Sequence, residues 1–339
     1  LIFAYLNVMM IKSIQTTFLA CFLFLASTTQ AQRIEVLTSG TETSLRGLCV
    51  VNDQVIWVSG SKGKVGRSTD GGKTWEWTTV AGFEKRDFRD IEAFDDKTAV
   101  IVAIAEPGNI LKTTDGGKSW KTVFHDTTKG MFLDAMDFYD NKKGIAVGDP
   151  IDGKIFIVTT NDGGNSWKRS TADIPAKEEG FFAASGTNVR YHKNGSFTAV
   201  SGGKVARLIE PGRTETLPII QGQEMTGPNS IAIYGKQAIV VAGDYEHQQD
   251  TTQNCLISTD GMKTWHEPLA GPNGYRSCVA YITAQQLITC GVPGVDISND
   301  GGNTWQLISK EGFHTCSKAK KGNAVFLAGG NGRIARLVQ

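Results

Sequence analysis

The chain has 339 residues, 40% of them hydrophobic, which is enough to bury a sizeable core in one or two domains. Lys and Arg total 35 against 34 Asp and Glu, leaving a formal charge of +1. So even a balance excludes a general field for nucleic acid or an anionic membrane, and any charged site must be local.

In chain order, the first segment differs from the rest. Met10 and Lys12 precede an apolar run over residues 18–26, and Thr29-Gln30-Ala31 reads as a cleavage site before Gln32. The run is short for a membrane span and ends in small polar residues. Residues 1–31 are therefore expected to be an upstream extension followed by a cleaved signal peptide. Residues 32–339 are expected to be a single domain outside the cytoplasm, periplasmic or secreted. Cys21 would leave with the leader. The remaining Cys49, Cys255, Cys278, Cys290 and Cys316 are odd in number and lack metal-ligand spacing, so they read as small buried strand residues. Cys278 and Cys316 occupy similar places in successive repeats and are the pair to test for a disulfide in an oxidising compartment.

Beyond the leader, five segments share one pattern, S/T-x-D-G-G-x-T/S-W. They are Ser68-Thr-Asp-Gly-Gly-Lys-Thr-Trp75, Thr113-Thr-Asp-Gly-Gly-Lys-Ser-Trp120, Thr160-Asn-Asp-Gly-Gly-Asn-Ser-Trp167, Ser258-Thr-Asp-Gly-Met-Lys-Thr-Trp265 and Ser298-Asn-Asp-Gly-Gly-Asn-Thr-Trp305. Asp followed by Gly-Gly is a tight-turn signal: the glycines take positive φ, and the carboxylate bonds nearby N–H groups. The roles of Asp70, Asp115, Asp162, Asp260 and Asp300, and of the tryptophans that follow them, are thus architectural. Burying one such ring removes roughly 150–250 Å² from water, on the order of 4–6 kcal/mol gross.

The first repeat reads as four strands, over residues 45–51, 55–59, 64–68 and 74–80. The box aspartates are then 45, 47, 98 and 40 residues apart, and the gap of 98 holds two repeats, one without a box. Residues 181–217 fill that place, with strands at 188–192, 197–201 and 204–209 and Glu210-Pro-Gly-Arg213 as a substitute turn. Repeats opening near Ser44, Phe88, Phe132, Phe182, Pro228, Tyr275 and Phe313 make seven. The last supplies three strands, and residues 33–37 alternate as its missing outer strand should. The fold expected is all-β: a seven-bladed propeller of four-stranded antiparallel blades closed by an N-terminal strand, which leaves no exposed sheet edges.

The boxes resemble the BNR/Asp-box repeats of sialidases and many other propellers, a motif that specifies a hairpin and little chemistry. Residues 33–339 more specifically resemble the photosystem II stability/assembly factor family of seven-bladed propellers, of the Ycf and plant high-chlorophyll-fluorescence types, with their relatives in non-photosynthetic bacteria. The period of 40–49, Phe88-Arg-Asp-Ile91, Gly274-Tyr-Arg-Ser-Cys278, Ala146-Val-Gly-Asp149 and Ala328-Gly-Gly-Asn-Gly-Arg-Ile334 carry the resemblance. It implies a non-enzymatic assembly factor that binds a membrane-protein partner.

Strand alternation places the blade-opening loops and the second-to-third strand loops on one face, around the channel mouth. Arg46, Arg89, Arg276 and His314 stand one or two residues into inner strands there, and Glu106, Asp149 and Asp244 come from the second-to-third strand loops. Guanidinium forks suit carboxylates, so this face is expected to bind an anion or acidic peptide of a protein partner, the protein itself being a monomer. Three arginines with Asp-boxes also raise a carbohydrate-active alternative, a glycan binder or divergent sialidase-like hydrolase. The sequence lacks Phe-Arg-Ile-Pro near the first blade and an evident Tyr/Glu pair, and it has seven blades where sialidases have six. No motif asks for a metal or cofactor, and there is no G-x-S-x-G elbow.

Overall fold

Short apolar runs separated by Gly-, Asn- and Asp-bearing turns cannot bury a helix face, and they pair as hairpins instead. In the computed structural model, which describes residues 32–338, they form seven antiparallel sheets. The expected leader lies outside the described residues. Blade 1 comprises Leu45–Val50, Ile56–Gly60, Lys64–Ser68 and Glu76–Thr79, hydrogen-bonded in that order from the inside out. Blades 2, 3 and 6 repeat this arrangement, starting from the inner strands Phe88–Ala93, Leu133–Phe138 and Cys278–Tyr281. Blade 7 comprises Thr315–Lys318, Val325–Ala328, Ile334–Val338 and, outermost, Arg33–Thr38, with Arg33 opposite Val338 and Val36 opposite Ala335.

The two repeats in the long gap depart from the pattern. Blade 4 pairs Val189–Tyr191, Phe197–Gly203, Arg207–Glu210 and Arg213–Thr216, its outer hairpin turning at Pro211-Gly212. Its inner strand falls within the expected residues 188–192, while the chain from the expected blade opening near Phe182 up to residue 188 lies outside the ladder. Blade 5 has three strands, Thr226–Tyr234, Gln237–Asp244 and Cys255–Ser258, and only a single bridge from Ile257 to His266 beyond its box.

The core lies between blades. Ile56–Gly60 and Ala99–Ala103 are buried along their whole length, as second strands covered on both faces should be. Trp57 packs with Ile91 and Ile101 across blades 1 and 2, and Leu45 and Val50 pack with Phe326 and Ile334 across blades 1 and 7.

Each box is a small hydrogen-bonded knot. In blade 1, Ser68 Oγ donates to Asp70 Oδ1 (2.9 Å) and accepts from the Gly72 N–H (2.9 Å). Asp70 also accepts from the Thr74 N–H and hydroxyl (2.9 and 2.6 Å). The second glycine has a further role, which is to bring the turn against the preceding blade. Gly117 has φ +83°, and a Cβ there would lie 3.2 Å from the Trp57 ring; Gly164 and Gly302 stand in the same way against Val100 and Ile239. Met262 takes this position in the one box that faces the boxless blade 4. Its side chain packs on the cluster containing Val200, Leu208 and Val240.

Two sequence expectations change here. Of the box tryptophans, only Trp167 and Trp305 are buried, whereas Trp75, Trp120 and Trp265 are half-buried, because outer strands have solvent on one side. Cys278 and Cys316 are free thiols, like the other three described cysteines, and Cys278 Sγ donates to the Cys316 carbonyl at 3.3 Å.

Candidate functional site

The 29 residues between the third box and Phe197 contain the feature that sets the site. After Lys168–Arg169 the chain runs across the mouth, and Glu179–Gly180 add onto the mouth end of Phe197–Gly203. An enclosed ion pair anchors this strap: Arg207 Nε donates to Glu179 Oε2 at 2.7 Å, and Arg207 Nη2 reaches the Pro175 carbonyl at 3.0 Å. Asp149 accepts from the Phe181 N–H at 2.9 Å.

Residues 182–188 then enter the channel and touch inner strands around it. The Ala184 carbonyl accepts from Arg46 Nη1 (3.1 Å) of blade 1, and the Ala183 carbonyl lies 3.5 Å from Arg89 Nη1 of blade 2. Ser185 Oγ donates to the Ser277 carbonyl (2.7 Å) of blade 6, and Thr187 Oγ1 donates to Ser230 Oγ (2.7 Å) of blade 5. Gly186 has φ +69° and leaves no room for a Cβ against the Asp90 carboxyl, so glycine is required at the crossing. The plug separates a mouth of about 940 Å³ from a pocket of about 100 Å³ below it. The mouth is therefore a pit with a floor.

Arg46, Arg89 and Asp149 line that pit, with Phe182, Met225, Tyr245 and Tyr275. Arg89 is paired with Asp87 (Nε to Oδ2, 3.0 Å), whereas Arg46, among the described residues, has no carboxylate within ion-pair distance. Burial and then the neighbouring Arg89 charge push the Arg46 guanidinium below its ordinary pKa. At the rim, Lys204 and Glu178 pair at 2.9 Å. The net result at the floor is a half-desolvated guanidinium that donates to the Ala184 carbonyl.

His314 is half-buried beside this pair, with Nε2 3.2 Å from Ser44 Oγ. Burial, then Arg46, Arg89 and Arg333, lower its pKa to about 3, so it is neutral at physiological pH. Asp149 is raised by burial. In the inner strand of blade 3, Asp134 is fully enclosed, and its two carboxyl oxygens have no side-chain hydrogen-bond partner among the described residues. Burial and then Asp149 hold it well above the usual carboxylate range, despite Arg89. Asp134 gave no sequence signal, since an acid in an inner strand reads like any solvated channel residue.

Three expected site residues serve elsewhere. Arg276 has no solvent exposure; its Nε donates to Asp296 Oδ2 at 2.6 Å and its Nη1 to the Tyr275 carbonyl at 2.8 Å, so it is an ion pair inside blade 6 and does not reach the mouth. Glu106 is exposed outside the pit and accepts from the Gly130 N–H. Asp244 caps its own loop, accepting from the Glu246 N–H, the His247 N–H and His247 Nδ1 at 2.8, 3.2 and 2.7 Å. The three-arginine ring is thus a pair.

The family model described as Photosynthesis system II assembly factor YCF48 matches residues 26–129. Among solved structures, YCF48 bound to D1 peptide aligns with a TM-score of 0.65 and 21% identity over 91% of this chain and 97% of its own. YCF48 from Cyanidioschyzon merolae aligns at 0.66 and 17%, over 90% and 98%. The Niastella koreensis GH74 enzyme aligns at 0.61 and 14%, over 89% of this chain and 53% of its own. No curated protein matches in sequence. The family model covers under a third of the chain, and at these identities the solved structures share its fold, a seven-bladed β-propeller.

Proposed function

We propose that this propeller is an extracytoplasmic docking protein that grips an acidic group of a protein partner, in the manner of a membrane-complex assembly factor, with Arg46 and Arg89 at the floor of the mouth. The observation that carries the reading is Arg46: a half-desolvated guanidinium beside a second one, without a paired carboxylate among the described residues, in a cavity open to one face. A buried unpaired cation is costly, and a carboxylate entering the pit removes that cost through a charge-assisted hydrogen bond. The solved YCF48 complex with D1 peptide supports a peptide as the kind of occupant such a propeller takes. The apolar run at residues 18–26 supports export.

The test is affinity capture from the native cell envelope with wild-type protein and an Arg46→Ala, Arg89→Ala double variant of matched melting temperature. A partner held by wild type and lost by the variant, more readily so in high salt, is expected. Equal capture by both proteins, or none by either, overturns the reading.

A further inference from the structure

The same pit has a second wall of different chemistry. Met225 and Tyr245 are 40% and 39% exposed, among the few large apolar side chains that the fold leaves in solvent, and both line the cavity that holds Arg46. They are the neighbours of one hairpin's ends: Met225 precedes the strand Thr226–Tyr234, Tyr245 follows Gln237–Asp244, and the Tyr245 N–H donates to the Met225 carbonyl at 3.1 Å.

The shelf is held in place before anything binds. Tyr245 meets Tyr275 edge to face, with centroids 5.5 Å apart and planes at 78°. Tyr275 is itself buried and donates to Asn229 Oδ1 at 3.0 Å. Behind the shelf, Asp244 fixes the loop through its three bonds to Glu246 and His247, which makes it a positioning residue. Tyr245, Tyr275 and Met225 line the same cavity as Arg46. A ligand whose carboxylate meets Arg46 thus has an apolar wall in the same cavity for a neighbouring side chain.

Resting on the reading of Arg46 as the acid grip, we infer that Met225 and Tyr245 select the residue beside the acid: the occupant is a short extended peptide in which a carboxylate neighbours a large apolar side chain. Charge complementarity sets one half of this recognition and the exposed shelf sets the other. The volume sets the size, because about 940 Å³ is at the upper end of small-ligand cavities and holds a short segment rather than a folded domain. An apolar side chain leaving water against this shelf strengthens binding, whereas a serine at the same place gains little.

The experiment uses fluorescent end-capped hexapeptides with one central aspartate flanked by leucine or by serine, titrated by anisotropy. Wild type is expected to bind the leucine peptide about tenfold more tightly, the difference that burying much of one apolar side chain supplies. Met225→Ala and Tyr245→Ala should bring the two peptides within about twofold of each other, Tyr245→Phe should keep the preference, and Arg46→Ala should abolish binding of both. Thermal melts confirm that each variant is folded. Equal affinity for the two peptides in wild type, still lost with Arg46→Ala, overturns the selectivity inference and leaves the acid grip standing. Binding that ignores Arg46→Ala, or no binding of either peptide, overturns the acid grip and the selectivity with it.

Discussion

Arg276 and Arg46 each stand near the start of an inner strand, yet Arg276 is enclosed with Asp296 while Arg46 lines the mouth with, among the described residues, only a backbone carbonyl for partner. The difference is one of neighbours, since blade 6 places an aspartate under its arginine and blade 1 does not. Residue-scale tests separate scaffold from site. Trp57 has no exposure, donates from Nε1 to the Asp95 carbonyl at 3.0 Å, and receives the box glycine of the next blade. Trp57→Ala should therefore cost about 3–5 kcal/mol in chemical denaturation, while Arg46→Ala should leave stability nearly unchanged. His314 offers a pH test. Its folded pKa of about 3 lies below the unfolded value of about 6.5, so the unfolded chain takes up a proton that the folded chain refuses. Its contribution to stability is present above about 6.5 and is lost as pH falls toward 3. His314→Gln should flatten that part of a stability–pH curve, and an unchanged slope would count against the enclosed neutral imidazole.

At the scale of elements, the Asp-boxes are repeated turns whose carboxylates are active members. Hydrogen bonds from the neighbouring Thr and Ser residues hold Asp70, Asp115, Asp162 and Asp260 below the ordinary range, to about 2 for Asp70 and Asp162. For Asp300, partial burial opposes the same bonds without overcoming them. A depressed carboxylate stabilises the fold above its unfolded pKa of about 3.9 and ceases to do so as pH falls through its folded value. Stability should thus drop between about pH 4 and pH 2, and Asp115→Asn should lessen the drop; urea unfolding at a series of pH values checks it. Blades 4 and 5 show what a missing box does. Without a glycine turn to seat against blade 4, the next box brings Met262 into the gap, and blade 5 keeps only a single bridge where its fourth strand would be.

For the whole molecule, Arg33–Thr38 and Ile334–Val338 lie side by side although they come from opposite ends of the domain. Removing residues 1–38 would strip Ile34 and Leu37 from their clusters and leave Ile334–Val338 as an open edge. The truncated protein should melt several degrees lower and self-associate through that edge, as light scattering would show; a monomer of unchanged melting would argue that the strand is dispensable. The count of seven, the boxes and the boxless fourth repeat were all legible in the sequence, because a hairpin is specified by residues within about ten positions of one another. Strand alternation assigns Arg46, Arg89 and Asp149 to the face where they line the cavity. Arg276, Glu106 and Asp244 were not separable from them, since strand position says which face a residue begins on and nothing about the partner that captures its side chain. The sequence put the opening of the fourth blade near Phe182 and had no signal for the strap before it or for the crossing over residues 182–188, because their partners lie in distant blades. Local sequence determined the repeats, their turns and their number through backbone geometry and alternation. Only the closed ring decided that the channel is plugged, that two guanidiniums share a floor beside an apolar shelf, and that the third is enclosed, because these features join residues far apart in sequence, 138 positions in the bond from Arg46 to Ala184.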